Sequence, residues 1–422
     1  MLIAEKRNPL VDWSLRIAII IGCFAAAVYA FTLFRASLAF RQFTASGIEA
    51  ATRLVPFDAS YLTALARFQP AHRVPLLHRA LSLNGFDSKS LIELGLDAEF
   101  QKHDPKKAEG YFKRAAAVDK MFLPRLTLAN FYFRQEQIPQ FLEWVHRALD
   151  ISPYGYNPRP LYQQCWSIGA DPASIAAAIP DYDRRLFEYA SFLLSINRPD
   201  LTVPVFQRGI AAVPLKRSMP GDERWYRDSV GIGIDHLLDA DLPDQAVELW
   251  TTLYRAGWMG LPAPSPSSPL NNTDFSQQAF QHGFDWAVPA VSGVRANQFS
   301  DIREIRFTFS GTQPEFCMLL RQYAVLQPLH RYTLSWDSDP GSMPAGDGFT
   351  WRLYSIKRGD RPLSLDSKSP DITLGNGNGK WQFETPDEGR VFLIALEYTR
   401  PVGRTRAEGS LVLRHATLSA TP

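Results

Sequence analysis

A chain of 422 residues with 45% hydrophobic content has room for two or three domains with real cores. Its formal net charge of +2 lacks the basic excess of a nucleic-acid binder. Of three cysteines, Cys23 lies in an apolar run. Cys165 and Cys317 fall in regions of different character, so no structural disulfide is expected, and no His/Cys cluster has zinc spacing.

Residues 1–16 read as a short tail, and 17–34 as a membrane span. The span is a run of 18 uncharged residues from Ile17 to Phe34, which reaches about 27 Å as a helix, close to the hydrocarbon thickness. It carries nine residues from Ile, Val, Leu and Phe. At roughly −0.3 to −0.6 kcal/mol each, they contribute about −3 to −5 kcal/mol towards insertion. Ser37-Leu38-Ala39 matches a small-x-small cleavage site, but the leader and apolar run are oversized for a cleaved signal, and an anchor is expected. Lys6, Arg7 and Arg16 precede the span and Arg35, Arg41 and Arg53 follow it. With the amino terminus added, the balance leans towards a cytoplasmic tail and an exported body. Residues 35–57 are expected to form a connecting helix.

From 58 to 258 the pattern is helical and recurrent. Leu91, Leu94, Gly95 and Ala98 precede Ala108, Phe112 and Ala115. Leu128, Ala129 and Tyr132 precede Phe141, Val145 and Ala148, with Pro153 closing the unit. Leu186, Tyr189, Ala190 and Leu193 precede Phe206, Gly209 and Pro214. Weaker copies stand at Tyr61, Leu77 and Ala80, and at Ala246, Trp250 and Leu253. Small residues let paired helices approach and aromatics fill the gap to the next pair, and one pair alone cannot bury its stripe. This pattern resembles tetratricopeptide repeats, which implies a scaffold that binds a partner protein. A non-repeating bundle is the alternative. The stretch Pro158 to Pro180 breaks the period, as an irregular insert or degenerate helix pair. Trp144, Trp166, Trp225, Trp250 and Trp258 are assigned mainly to packing between helices.

Residues 259–272 contain Pro262, Pro264, Pro266 and Pro269 and read as a semi-rigid linker. Beyond it, Ile305/Phe307/Phe309, Tyr332/Leu334/Trp336 and Phe349/Trp351/Leu353 alternate with polar neighbours. Val391–Leu396 is apolar on both faces, and Leu411–Leu418 adds another strand. Short strands between Gly, Pro and Asp turns predict a two-sheet β-sandwich over 273–422. Gly283-Phe284-Asp285-Trp286, Leu320-Arg321-Gln322-Tyr323 and Phe349-Thr350-Trp351-Arg352 resemble segments of carbohydrate-binding jelly-roll modules. The domain order is similar to that of bacterial membrane-anchored tetratricopeptide proteins of exopolysaccharide or O-antigen systems.

The expected fold is therefore multidomain, α then β: one transmembrane helix, an α-solenoid of tetratricopeptide-like hairpins and a C-terminal jelly-roll-like β-sandwich. The resemblance implies a single-pass protein of a bacterial inner membrane, its body facing the periplasm or exterior. Its expected partners are a protein for the solenoid and envelope polysaccharide or protein for the sandwich. Arg306, Arg352 and Tyr354 alternate onto the polar strand faces and are glycan-binding candidates, joined by Arg321 and Glu397. An ordinary solvated sheet face explains the same alternation. Trp336 and Trp351 are assigned to the core, and Asp285 and Trp286 to a turn and a core plug.

Asp337-Ser338-Asp339 has the form of a metal-binding carboxylate pair, but Asp181-Tyr182-Asp183 and Asp239-Ala240-Asp241 match equally, and turn chemistry explains it. Gly375-Asn376-Gly377-Asn378-Gly379-Lys380 precedes a strand, whereas a phosphate cradle precedes a helix. It reads as a hairpin. No catalytic residue, cofactor or metal is expected. A plain protein-interaction adaptor and a cryptic glycan-processing enzyme are the alternatives.

Overall fold

The computed structural model describes residues 9–181, 183–213, 222–265, 267–341, 343, 348–356, 364–371, 377–387 and 389–421. Lys6, Arg7, Tyr182, Pro214, Pro266, Gly375 and Asn376, which figure in the sequence reading, lie outside the described residues. By packing, the chain forms two compact units. One is Met1–Tyr156 with Gln164–Ala178, and the other is Asn157–Gln163 with Ile179–Pro422. The division falls within the segment where the repeat period breaks. It does not follow the expected boundaries, because the last helices before the prolines pack with the sandwich.

The first unit opens with α1 (Pro9–Arg41). Within it Arg16–Arg41 is, among the described residues, the one helix long and apolar enough to cross a membrane. Nothing between Ile17 and Arg41 stops the helix. It runs through the expected end of the span, and its packing against the body begins at Ala36. Ala36, with the part-buried Ala39 and Phe40, meets Ala51, Val55 and Tyr61. Thr44 caps α2 (Ala45–Leu54), accepting from the Gly47 amide at 3.1 Å. Thus α1 and α2 make a first hairpin where a connecting helix was expected.

Three hairpins follow: α3 (Ala59–Phe68) with α4 (Arg73–Leu83), α5 (Ser88–Phe100) with α6 (Pro105–Val118), and α7 (Phe122–Arg134) with α8 (Ile138–Asp150). Acidic side chains fix the starts. Asp58 accepts from the Ser60 amide at 2.8 Å and Asp104 from the Lys107 amide at 3.0 Å, and Pro105 occupies the first turn of α6. The positions of the sequence pattern are the buried ones. A side chain at Gly95 would begin 2.4 Å from the Phe112 ring, so the small residue lets α5 and α6 close on that aromatic. The aperiodic stretch holds two short helices, α9 (Arg159–Ser167) and α10 (Pro172–Ala178).

The second unit contains α11 (Asp183–Ser195) with α12 (Thr202–Ala212), then α13 (Asp222–Asp239) with α14 (Pro243–Arg255). Trp250 and Trp258 are buried, as the packing assignment expects, while Trp225 is 38% exposed. The two ends of the segment 259–272 are packed down, at Leu261 and at Leu270 to Asn272, where a free linker was expected. The Trp250 indole donates to the Leu261 and Pro262 carbonyls at 3.1 and 3.0 Å. Asn271 donates to the same Pro262 carbonyl at 3.0 Å, and Leu261 and Leu270 are buried. Prolines lack N–H donors, so this segment presents acceptors, and buried side chains use them.

The strands are β1 (Val294–Phe299), β2 (Glu304–Ser310), β3 (Phe316–Val325), β4 (Arg331–Asp339), β5 (Phe349–Ser355), β6 (Ser364–Asp371), β7 (Gly377–Glu384), β8 (Val391–Thr399) and β9 (Glu408–Ala420). They form two antiparallel sheets, ordered β1-β2-β9-β4-β7 and β3-β8-β5-β6. Their facing sides share one core. Ile305, Phe307 and Leu411 come from the first sheet and Leu320, Leu353 and Phe392 from the second. Trp351 at its centre lies 6.2 Å from Trp286 and 6.1 Å from Trp336. The chain is multidomain, α then β. Asp337 and Asp339 end strand β4, where a free turn was expected, because pairing with β9 carries through to Val412. Arg414 of β9 meets them at 3.7 and 3.3 Å.

Candidate functional site

The five residues singled out for a sugar surface do not share one place. Arg306 lies on the outer side of the five-stranded sheet, paired with Glu304 at 2.7 Å and over the Phe299 ring. The other four share the outer face of the four-stranded sheet, where Arg352 and Arg321 stand on either side of Ala395 of β8. There Glu397 is fully buried, which corrects its expected place on an exposed face. β8 is the second strand of four and is covered on both sides. The Glu397 carboxylate accepts from the Tyr354 hydroxyl and lies 2.7 Å from the Arg352 guanidinium. Burial pushes its pKa up, against the pull of Tyr354 and Arg352. Burial, then the bond to Glu397, pushes the Tyr354 hydroxyl up in turn. The three side chains are held together by the Tyr354 hydrogen bond and the Arg352–Glu397 ion pair, which leaves Glu397 Oε2 and Arg352 Nε without a hydrogen-bond partner.

Arg321 belongs to a second group, where the same face meets α13. Its main chain bridges Ala287, amide to carbonyl in both directions at 2.8 and 2.9 Å. Beside it, Asp235 on α13 accepts from the Gly283 amide at 2.7 Å and lies 2.7 Å from His282 Nδ1. The Tyr323 hydroxyl donates to Asp239 at 2.7 Å, and burial followed by that carboxylate pushes its pKa up. Gly283 adopts φ +57°, and a side chain there would start 2.7 Å from Ile234 and 3.0 Å from Trp250. Only glycine fits both the backbone and the space. Phe284 sits edge-on to Trp250 at 5.5 Å. Asp285 is buried, accepts from the Phe280 and Trp286 amides at 2.6 and 2.7 Å, and is pushed by burial to a pKa of about 6. Trp286 donates to the Asn272 carbonyl at 3.1 Å. The Gly283–Trp286 motif is therefore the plug that fastens the sandwich to α13 and α14.

A groove of 1160 Å³ opens beside this plug. One wall is α13, with Arg227, Asp228 and Ile232, and the other is the segment from Phe280 through Val288 to β1. Arg227 lies over the Phe280 ring at 5.7 Å. β1 pairs only with β2 among the described residues, so one of its edges is unpaired, and its residues Val294 to Ala296 line the groove. Sequence reading missed this site. Its walls come from segments about sixty residues apart, and β1 has a weak alternation of Val294, Ala296 and Gln298. The one available signal was the motif beside it.

No protein-family model matches the chain, and no curated protein matches it. Among solved structures it is similar to YrrB, a tetratricopeptide protein with an unusual peptide-binding site, at 12% identity over 50% of this chain and 93% of that one, with a TM-score of 0.25. It is similar to PilW, a widely conserved type IV pilus biogenesis factor, at 14% identity over 54% and 93%, with a TM-score of 0.27. The Pseudomonas aeruginosa protein PilF matches at 13% identity over 47% and 91%, with a TM-score of 0.26. Likenesses at this level carry no argument. The repeat architecture rests on the hairpins' own packing.

Proposed function

We propose that the chain is a membrane-anchored, non-catalytic interaction scaffold. α1 is its anchor, and the body faces the periplasm or exterior of a bacterial inner membrane. Continuity of α1 supports an anchor over a cleaved leader. Ser37-Leu38-Ala39 lies inside a helix whose neighbouring Ala36 is buried against α2 and α3, so cleavage there would strip packing from the first hairpin. The helical hairpins serve protein partners, and the sandwich serves glycan or protein. The domain order supports a place in synthesis, export or attachment of envelope polysaccharide.

The groove along β1 carries this reading. It is large enough for an extended ligand and combines an open strand edge with the apolar side chains of Ile232, Val288 and Val291. The strand edge favours a peptide that adds to the sheet over a glycan, because backbone pairing is chemistry that a peptide supplies. Ile232 is 45% exposed, so Ile232→Arg fills the groove without touching a core. Binding of the full chain to envelope polysaccharides and to its co-purifying proteins, with and without this substitution, tests the reading. A tenfold or greater loss of protein binding, about 1.4 kcal/mol, is expected. Unchanged binding to every ligand would sink the groove assignment, and glycan binding lost in the variant would replace peptide by sugar.

A further inference from the structure

From the geometry of the first unit we infer that one edge of its hairpins rests on the leaflet that α1 enters, with an anionic phospholipid headgroup held in a basic cavity on that edge. The inference depends on α1 being an anchor and goes beyond that reading.

The register of the first hairpin fixes which edge this is. α2 runs back along α1, with Gly47 against Ala39 and Ala51 against Ala36. One turn further out the same register sets Leu54 opposite Leu33, inside the apolar run. The loop that follows α2 therefore lies at the depth where the span ends, and so do the exposed Arg35 and Arg53. Each later hairpin returns its chain to the same edge, because α3, α5 and α7 start where α2, α4 and α6 end.

Those returning loops all carry a large exposed apolar or aromatic side chain. Phe57 is 57% exposed, Phe86 76%, Met121 70% and Tyr154 95%. Four consecutive loops of one edge thus present the residue types that enter a bilayer interface. Three of the acids on this edge, Asp58, Asp87 and Asp119, are hydrogen-bonded to the protein, and Asp150 is exposed. Asp58 accepts from Ser60, Asp87 from Thr63 and Ser90, and Asp119 from Ser88 and the Met121 amide. Their charge is held in hydrogen bonds to the protein and repels an anionic surface less.

Beside Lys120, the residue before Met121, a cavity of 400 Å³ is lined by Lys113, Lys120, Arg125 and Arg147 with the Trp144 indole, and no carboxylate lines it. Arg125 donates to the Arg147 carbonyl at 2.8 Å, and Arg147 stacks over Trp144 at 4.6 Å. Glu109 and Glu143 pair with Lys113 and Arg147 from the helix flanks, at 2.8 and 2.7 Å. Four cations around an amphipathic ring suit a phosphodiester headgroup, with the acyl chains passing Met121 into the leaflet.

The test uses the full chain in nanodiscs of zwitterionic lipid, or with a third of that lipid replaced by phosphatidylglycerol. In a Cys23→Ser background, a fluorophore is placed by Phe57→Cys, Met121→Cys or, at the opposite edge, Gln101→Cys. Quenching by headgroup spin-labelled lipid is expected to be several-fold stronger at positions 57 and 121 than at 101. Phosphatidylglycerol should raise it at 121. Lys120→Glu, and the milder Lys120→Gln, should weaken that increment by about five-fold for the cation lost. Equal quenching at 121 and 101, with the chain retained through alkaline extraction, overturns the resting edge and leaves the anchor standing. An increment unchanged in both Lys120 variants overturns the headgroup site. Release of the chain by alkali overturns the anchor and this inference together.

Discussion

Glu397 and Asp285 are both buried carboxylates of the sandwich, and they behave differently because their partners differ. Glu397 faces Arg352 and the Tyr354 hydroxyl. Removing one partner of a buried pair leaves the other charge uncompensated, at a cost of about 3 kcal/mol or more. Glu397→Ala should lower the stability of the sandwich by that order in urea unfolding followed by tryptophan fluorescence, whereas Glu397→Gln, which keeps an acceptor for Tyr354, should cost less. Equal losses would show that the Tyr354 hydrogen bond contributes little. Asp285 accepts from the Phe280 and Trp286 amides and from Asn272, and burial lifts its pKa from 3.8 to about 6. The folded state thus holds a proton there that the unfolded state has released, between those two values. Its contribution is fully present below about pH 4 and lost as pH rises through 6. Two units at 1.36 kcal/mol each make about 3 kcal/mol. Stability of Asp285→Asn relative to the parent should therefore fall by up to that amount as pH drops from 7 to 4. A difference that stays level with pH would contradict the assignment.

At the level of elements, the hairpins depend on close approach more than on helix propensity. Gly95 sits mid-helix, where glycine costs about 1 kcal/mol relative to alanine, yet its missing side chain is where the Phe112 ring lies. Gly95→Leu should therefore destabilise the first unit by about 2–3 kcal/mol through overpacking, and Phe112→Ala in the same chain should recover part of that loss. No recovery would place the strain elsewhere. α1 shows a second property of elements: a helix does not end where its environment changes. Its apolar part and its packed part are one rod because no residue between Phe34 and Arg41 breaks it. For β1, the edge position decides its availability to a partner, and that position follows from the order of strands in the sheet.

For the molecule as a whole, the sequence settled the kinds of structure and their order. Helical spacing of Leu128, Ala129 and Tyr132, and alternation in Ile305, Phe307 and Phe309, are local, since 3.6 and 2.0 residue periods are imposed by the backbone. So the apolar helix, the hairpins and the core role of Trp336 and Trp351 were all legible. The sequence did not show that α11–α14 pack in one unit with the sandwich, or that Leu261, Leu270 and Asn271 tie the two ends of the proline segment down. It also did not show that Glu397 is closed off by Arg352 and Tyr354. Each of these depends on which surfaces meet across long separations, such as Asp235 with Gly283 or Asp239 with Tyr323. Periodicity tells which face of an element is apolar and is silent about what covers the other. The groove beside β1 is decided in the same way, by two distant segments brought side by side.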